Sequence, residues 1–215
     1  MGEEHLRIWE GLFRNALDLL DSARQAGAPL ENWSFGGGTV LMRRYRHRIS
    51  KDVDIFVPDV QCLGYFSPRL SSRAESLTSK YQEDSRFIKL YFAEGEIDFV
   101  ASAPLTARPT IVETVLGREV NVETSAEIVA KKVWHRGAEF AARDLFDLAL
   151  VATREPAALK AIRPMLRERR DAILDRVARY DKPLRTTFAA LETLEFRPSY
   201  DECLAIVRKV LSAKA

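Results

Sequence analysis

The stretch that decides the architecture is NWSFGGGTVLMRRYRHRISKDVDIFVPD, residues 32–59. It reads as a short strand, a turn at Gly36, Gly37 and Gly38, a short arginine-rich helix, a loop, and a second strand ending at Pro58. On that second strand Asp52 and Asp54 are one residue apart, so both carboxylates point to one side while Val53 and Ile55 point to the other. Like charges held this close repel unless a cation sits between them. Mg²⁺ (or Mn²⁺), which takes one or two carboxylates and completes its shell with water and phosphate oxygens, suits such a pair. The glycines followed by Thr39 open a helix, where bare backbone and free amides suit a phosphate group. Each feature alone has a plain explanation, a solvated strand end or a tight turn. Their coincidence in one strand–turn–helix–strand unit is what carries weight.

Outward from this core the periodicities alternate between two kinds. Trp9, Leu12, Phe13, Ala16, Leu19 and Ala23 recur at helical spacing and predict an amphipathic helix over residues 4–24. After Pro68 the polar run RLSSRAESLTSK predicts an exposed helix. RFIKLYF and EIDFVAS flank an AEG turn as a β-hairpin, and TIVETVLG with REVNVET form a second strand pair around Gly117. From Ser125 the character changes. SAEIVAKKVWHRG, with Ser125 as its N-cap, and RDLFDLALVATR read as two helices. Leu159, Ile162, Leu166, Ile173 and Val177 mark one face of a long helix that Pro164 kinks or breaks. Helices over residues 184–194 and 200–213 complete the chain. The reading is an α+β protein: a mixed sheet with flanking helices over residues 1–124, a helical lobe over 125–215, and an active cleft between them.

The chain has 215 residues, 47% hydrophobic and 30% charged, enough to bury a core and ordinary for a soluble globular protein. No apolar run has membrane-spanning length, and the acidic, amphipathic start is unlike a signal peptide. These features predict a cytoplasmic protein with no membrane contact. Cys62 and Cys203 sit in no metal-ligand spacing and read as buried or idle thiols. The net charge of +2 is unevenly spread: 18 Lys/Arg against 13 Asp/Glu from Ser125 onward, and 15 against 18 before it. A basic lobe suits a phosphate-rich polymer as well as plain solvent.

The segment FGGGTVLMRRYRHRISKDVDIF resembles the GGT…HR.S.D.D signature of the AbiEii-like nucleotidyltransferase toxins, through Gly37, Gly38, Thr39, Arg48, Ser50, Asp52 and Asp54. This family lies within the polymerase-β-type nucleotidyltransferase superfamily and supplies the toxins of type IV toxin–antitoxin, abortive-infection systems. A second block, EIVAKKVWHRGAEFAARDLFDL, is similar to the family's downstream pattern of a lysine-bearing helix followed by RDlfDl. Lys132, Arg143, Asp144 and Asp147 fall on it. The resemblance implies a polymerase-β-type fold and a third carboxylate on a later strand. Asp98 occupies that place, as a metal ligand or as the base for the acceptor, with Glu96 on the same side as its rival. It also implies that Lys132 neutralises triphosphate charge. Its neighbour Lys131 faces about a hundred degrees away on a helix, so only one of them points inward.

Asp144 and Asp147 are three apart and share a helical face, on which Asp144 is expected to orient Lys132 or the nucleotide and Asp147 to have a structural role, paired with an arginine. Arg48 and Ser50 are candidates for phosphate contact, while Arg43, Arg44, Arg46 and His47 equally suit a solvated helix face. His47 and His135 show no ligand spacing, and His5 reads as idle. The implied activity is nucleotidyl transfer from a nucleoside triphosphate to an acceptor, the 3′ end of a tRNA, with a cognate antitoxin as partner. Two other functions fit the same residues. One is a small-molecule nucleotidyltransferase of the aminoglycoside-modifying type, which needs an acidic acceptor pocket. The other is a catalytically silent protein that binds a nucleotide or a partner.

Overall fold

The structure, a computed structural model, describes residues 6–213. Glu4 and His5 lie outside the described residues. The chain divides into two compact units: one from the chain up to Val40, Ser50–Ala103 and Thr110–Glu123, the other from Leu41–Ile49, Pro104–Pro109 and the chain from Thr124 onward. No described helix is long and apolar enough to cross a membrane.

The first unit is built on one seven-stranded mixed sheet. In chain order the elements are helix α1 (Ile8–Gln25), strand β1 (Ser34–Gly36), helix α2 (Gly37–Tyr45, which runs on into the second unit's segment), and strand β2 (Val53–Val57). Then come helix α3 (Ser72–Leu77) and strands β3 (Tyr81–Glu83), β4 (Phe87–Tyr91), β5 (Glu96–Ala101), β6 (Thr110–Val115) and β7 (Arg118–Glu123). The order across the sheet is β3-β4-β5-β2-β1-β7-β6. β2 runs parallel to β5 and β1 parallel to β7, and the other pairs are antiparallel. The alternation expected of half-buried strands is plain. Val53, Ile55 and Val57 of β2 are buried, as are Ile88 and Leu90 of β4 and Ile97 and Phe99 of β5. α1 covers this core with Trp9 and Phe13, whose rings lie 5.9 Å and 4.5 Å from that of Phe35 on β1. β3 has no counterpart in the sequence reading. It is a three-residue polar edge strand, too short to show alternation and held by its pairing with β4.

In the second unit, α4 (Ser125–Arg136) and α5 (Ala142–Arg154) carry the second sequence block. The cap of α4 is Thr124 and not Ser125: the Thr124 hydroxyl accepts from the Glu127 amide at 3.3 Å, and the Ser125 hydroxyl pairs with that of Tyr45 at 2.9 Å. Pro164 is a break. α6 (Ala158–Ala161) ends at Ile162 and α7 (Arg163–Arg179) starts with the proline in its first turn, where a missing N–H costs nothing.

α8 (Asp181–Ala189) ends sooner than the expected residue 194. Residues 192–195 are instead held through backbone bonds to residues 46–49: Ile49 N to Glu192 O, Leu194 N to His47 O and Glu195 N to Arg46 O, each 2.8 Å. α9 (Tyr200–Ser212) opens with a reciprocal cap between Ser199 and Glu202. Phe146 on α5 meets Phe188 and Phe196 edge-on at 5.7 and 5.2 Å, forming the aromatic centre of this unit. Cys62 and Cys203 are both buried and free.

Candidate active site

In the first unit the chain passes from β1 straight into α2, because Gly37 adopts φ +74°, a conformation that costs glycine nothing. A Cβ at Gly37 would fall 1.8 Å from the Asp54 Oδ2, so this backbone lies directly on the carboxylate and a larger residue collides with it. Gly38 and Thr39 follow, both buried. The Thr39 hydroxyl donates to the Asp52 backbone carbonyl at 2.5 Å and so ties the glycine turn to the aspartate segment. Asp52 stands immediately ahead of β2, with its Oδ1 accepting from the Glu96 amide at 3.3 Å. Ser50 is half-buried two residues before it.

Parallel pairing of β2 with β5 sets Asp54 level with Asp98, and antiparallel pairing of β5 with β4 sets Asp98 level with Lys89. Asp98 Oδ2 accepts from Lys89 Nζ at 2.8 Å, while Oδ1 is buried with no hydrogen-bond partner among the described residues. Glu96, the rival carboxylate, also bonds Lys89, but its side chain is 33% exposed against 18% for Asp98, and it is not in register with Asp54. Burial, and then the negative charge of Asp54, push the Asp98 carboxyl up to about 7 against the pull of Lys89.

Among the described residues no three His, Cys, Asp or Glu side chains form a ready-made metal cage. A cage is not what Mg²⁺ needs: it is held by one or two carboxylates together with substrate phosphates. Asp54 and Asp98 side by side on neighbouring strands, a buried Oδ1 lacking a partner and a carboxyl resisting ionisation all describe a place where positive charge is missing. The donor set fits a hard divalent cation.

The second unit holds a separate polar cluster. Lys132 on α4 donates to Asp144 Oδ1 at 2.8 Å and lies 3.2 Å from Asp147 Oδ2, both on α5. Arg136 adds a 3.2 Å bond to Asp144. Asp147 receives a two-pronged bond from Arg48 at 2.8 and 2.9 Å, and His47 Nε2 donates to its Oδ1 at 2.8 Å. Both aspartates are completely buried. Burial opposes their charge, but Lys132 and Arg136 outweigh it at Asp144, and Arg48 and Lys132 hold Asp147 well below the usual carboxylate range. His47, buried in turn, is pushed below its ordinary value, and the Asp147 carboxylate only partly offsets this. Lys131 is directed elsewhere, 3.7 Å from Glu127. Glu127 is itself fixed by the amides of Leu105 and Thr106 at 2.9 Å.

The sequence candidates thus fall into two groups. Gly37, Thr39, Asp52, Asp54 and Asp98 come together in one unit, and Arg48, Lys132 and Asp144 in the other. Arg48 is buried against Asp147, so the arginine partner expected for Asp147 is the same residue that was a candidate for phosphate contact. Lys89 escaped the sequence reading, and His47, given a solvated helix face there, lies beyond the end of α2 and is buried against Asp147. Lys89 was legible in principle, since pairing RFIKLYF with EIDFV about the AEG turn sets it opposite Asp98. His47 carries no such signal.

A glycine turn laid on one of a pair of strand aspartates, in a mixed sheet with flanking helices, defines the class: the protein is a nucleotidyltransferase. The family profile described as nucleotidyl transferase AbiEii toxin, type IV TA system, matches residues 18–205, and the chain belongs to that family. The fold is similar to that of an H. pylori protein described as a nucleotidyltransferase, with a TM-score of 0.51 and 17% identity over 98% of this chain and 94% of that one. It is also similar to the MenT4 nucleotidyltransferase toxin of Mycobacterium tuberculosis, with a TM-score of 0.51 and 19% identity over 92% of this chain and 80% of that one. At such identities the likeness is one of fold. No curated protein sequence matches at a significant level.

Proposed function

We propose that the chain transfers a nucleotidyl group from a nucleoside triphosphate to the 3′ end of a tRNA in the cytoplasm, as a toxin restrained by a cognate antitoxin. The observation that carries the chemistry is the backbone of Gly37 lying on the Asp54 carboxylate. A phosphate brought to this turn meets a carboxylate, and two anions share such a place only with a cation between them. Asp52 and Asp54, with Asp98, are the residues that would hold Mg²⁺ or Mn²⁺. When bound, that ion supplies positive charge to the phosphate oxygens and to the departing pyrophosphate.

The remaining roles belong to the chain. Gly37 and Gly38 offer backbone without side chains to the phosphates, and Thr39 keeps this turn fixed to the aspartate segment. The acceptor hydroxyl oxygen bonds to the α-phosphorus, the bond to the β-phosphate oxygen breaks, and pyrophosphate leaves with that electron pair. Asp98, level with Asp54 on the neighbouring strand, is the proposed recipient of the hydroxyl proton. Lys132 is the proposed cation for the triphosphate, oriented by its bond to Asp144. Ser50 is a proposed phosphate contact. Arg48 keeps that proposed role only if its pair with Asp147 opens. The tRNA acceptor is supported by the family and by the basic surplus after Ser125.

The test is incubation of the protein with each of four α-³²P-labelled nucleoside triphosphates, Mg²⁺ and total tRNA, beside an Asp52→Ala/Asp54→Ala control. Label in RNA with the unaltered protein alone is the expected outcome. Label in no RNA under any of the four rules out a tRNA acceptor.

A further inference from the structure

Lys89 belongs to neither sequence block, yet it completes a row across three strands. Asp54 on β2, Asp98 on β5 and Lys89 on β4 are successive register partners, so their side chains share one face of the sheet. The Lys89 ammonium bonds the Asp98 Oδ2 at 2.8 Å and also reaches Glu96. Burial works against its charge, but these two carboxylates outweigh burial and keep it a cation. The two oxygens of Asp98 are therefore used differently. Oδ2 is taken by Lys89, and Oδ1 is buried with no hydrogen-bond partner among the described residues. A carboxylate pinned through one oxygen has its plane fixed and its second oxygen available, which is how outer partners orient ligands in metal sites.

We propose that Lys89 is a positioning residue of the nucleotidyl-transfer site: by holding Oδ2 of Asp98 it presents Oδ1, beside Asp54, to the divalent cation. This rests on the reading of Asp52, Asp54 and Asp98 as the metal-holding set. The competing role is simple charge balance, in which Lys89 only offsets the surrounding carboxylates. The two roles predict opposite signs. Removing a positive charge near a cation site strengthens cation binding by Coulomb's law. Removing the residue that orients a ligand weakens it, by about tenfold for such outer partners.

The experiment is titration of the full-length protein with Mn²⁺ alone, followed by the loss of the free-ion electron paramagnetic resonance signal. Lys89→Met is expected to lower Mn²⁺ affinity about tenfold. Lys89→Arg, which keeps a cation with N–H donors, recovers most of that loss. In an Asp98→Asn background Lys89→Met adds nothing further, because its effect passes through Asp98. If the methionine variant does not fold, Lys89→Gln is read in its place for the sign of the change.

Affinity equal to or above that of the unaltered protein, or a loss that adds fully to that of Asp98→Asn, overturns the proposal. So does an unaltered protein that takes up no Mn²⁺ even when a non-hydrolysable nucleoside triphosphate is present to complete the shell. Weakened Mn²⁺ binding with no label entering tRNA supports the role of Lys89 while removing the tRNA reading, so the two failures are told apart. Where transfer is observed, Lys89→Met lowers kcat and leaves KM for the nucleotide nearly unchanged.

Discussion

Replacing Gly37 with alanine tests the centre of the site with one carbon atom. The residue sits at φ +74°, where an L-residue pays roughly 1–2 kcal/mol, and the new Cβ would lie 1.8 Å from the Asp54 Oδ2 and 2.5 Å from its Cγ. Ordinary contacts between a carbon and such atoms are well beyond 3 Å, so the carboxylate or the turn must move by more than 1 Å. Overpacking of this kind costs about another 1–3 kcal/mol. A combined loss of about 3 kcal/mol lowers Tm by roughly 6–12 °C in a chain of this length.

The catalytic effect is larger than the stability effect. A displacement of about 1 Å in a reacting group costs on the order of a hundredfold in rate. Gly37→Ala should therefore remain folded, melt several degrees lower and transfer label from the α-³²P nucleotide at no more than about a hundredth of the normal rate. Adding Asp54→Ala removes Oδ2 and Cγ from the contact, so the double variant should regain part of the lost Tm while staying inactive. Gly37→Ala with a rate within a few-fold of normal, or a double variant that melts no higher than Gly37→Ala alone, would refute the claim that the turn bears on the carboxylate.

Asp147→Ala leaves Arg48 buried without its two-pronged partner and should cost about 3–5 kcal/mol in urea unfolding, whereas a joint Arg48→Met/Asp147→Leu change costs less than the single one. His47 supplies a pH dependence. Burial holds its folded-state value below the ordinary 6.5, so as pH falls through 6.5 the unfolded chain takes up a proton that the folded chain resists. Stability then declines by at most about 1.4 kcal/mol per pH unit from this group. His47→Gln should flatten that decline in urea midpoints measured between pH 7 and 5, and an unchanged slope removes His47 as its source.

The parts of the fold that were legible from residue order were those where local chemistry and tertiary demand agree. The glycines, the arginine-rich helix and the VDIFV alternation each specify their own backbone, and the strand–helix–strand unit appears where those signals place it. Thr124 shows the opposite case. Threonine and serine both cap well, and which one does so at α4 is decided by the use of the Ser125 hydroxyl on Tyr45, eighty residues away. The early end of α8 is likewise set by backbone groups of residues 46–49, which no helical periodicity announces.

At the site, strand alternation announced Asp54 and Asp98, which the β2–β5 register sets level, because a strand converts spacing into a shared face, whereas Asp52 stands ahead of β2 with its Oδ1 on the Glu96 amide. Lys89 needed the hairpin register as well, a one-residue slip of which sends it to the opposite side. The contact of Lys132 with Asp144 and an arginine partner for Asp147 were expected, but the gathering of Arg48 and His47 on the Asp147 carboxylate was out of reach. It joins residues about a hundred positions apart, through side chains whose local neighbourhoods look like an ordinary basic helix.

The backbone bonds between residues 46–49 and 192–195 have a consequence for how this chain tolerates change. They join main-chain groups, and the Arg46–Glu195 ion pair beside them is exposed and worth little, so the identities of Glu192, Thr193, Leu194 and Glu195 are nearly free to drift while the strand-like seam endures. Length is a different matter. Deleting or inserting one residue there slides every donor past its acceptor and loosens the segment that carries His47 and Arg48, so this remote stretch should accept substitutions readily and gaps hardly at all.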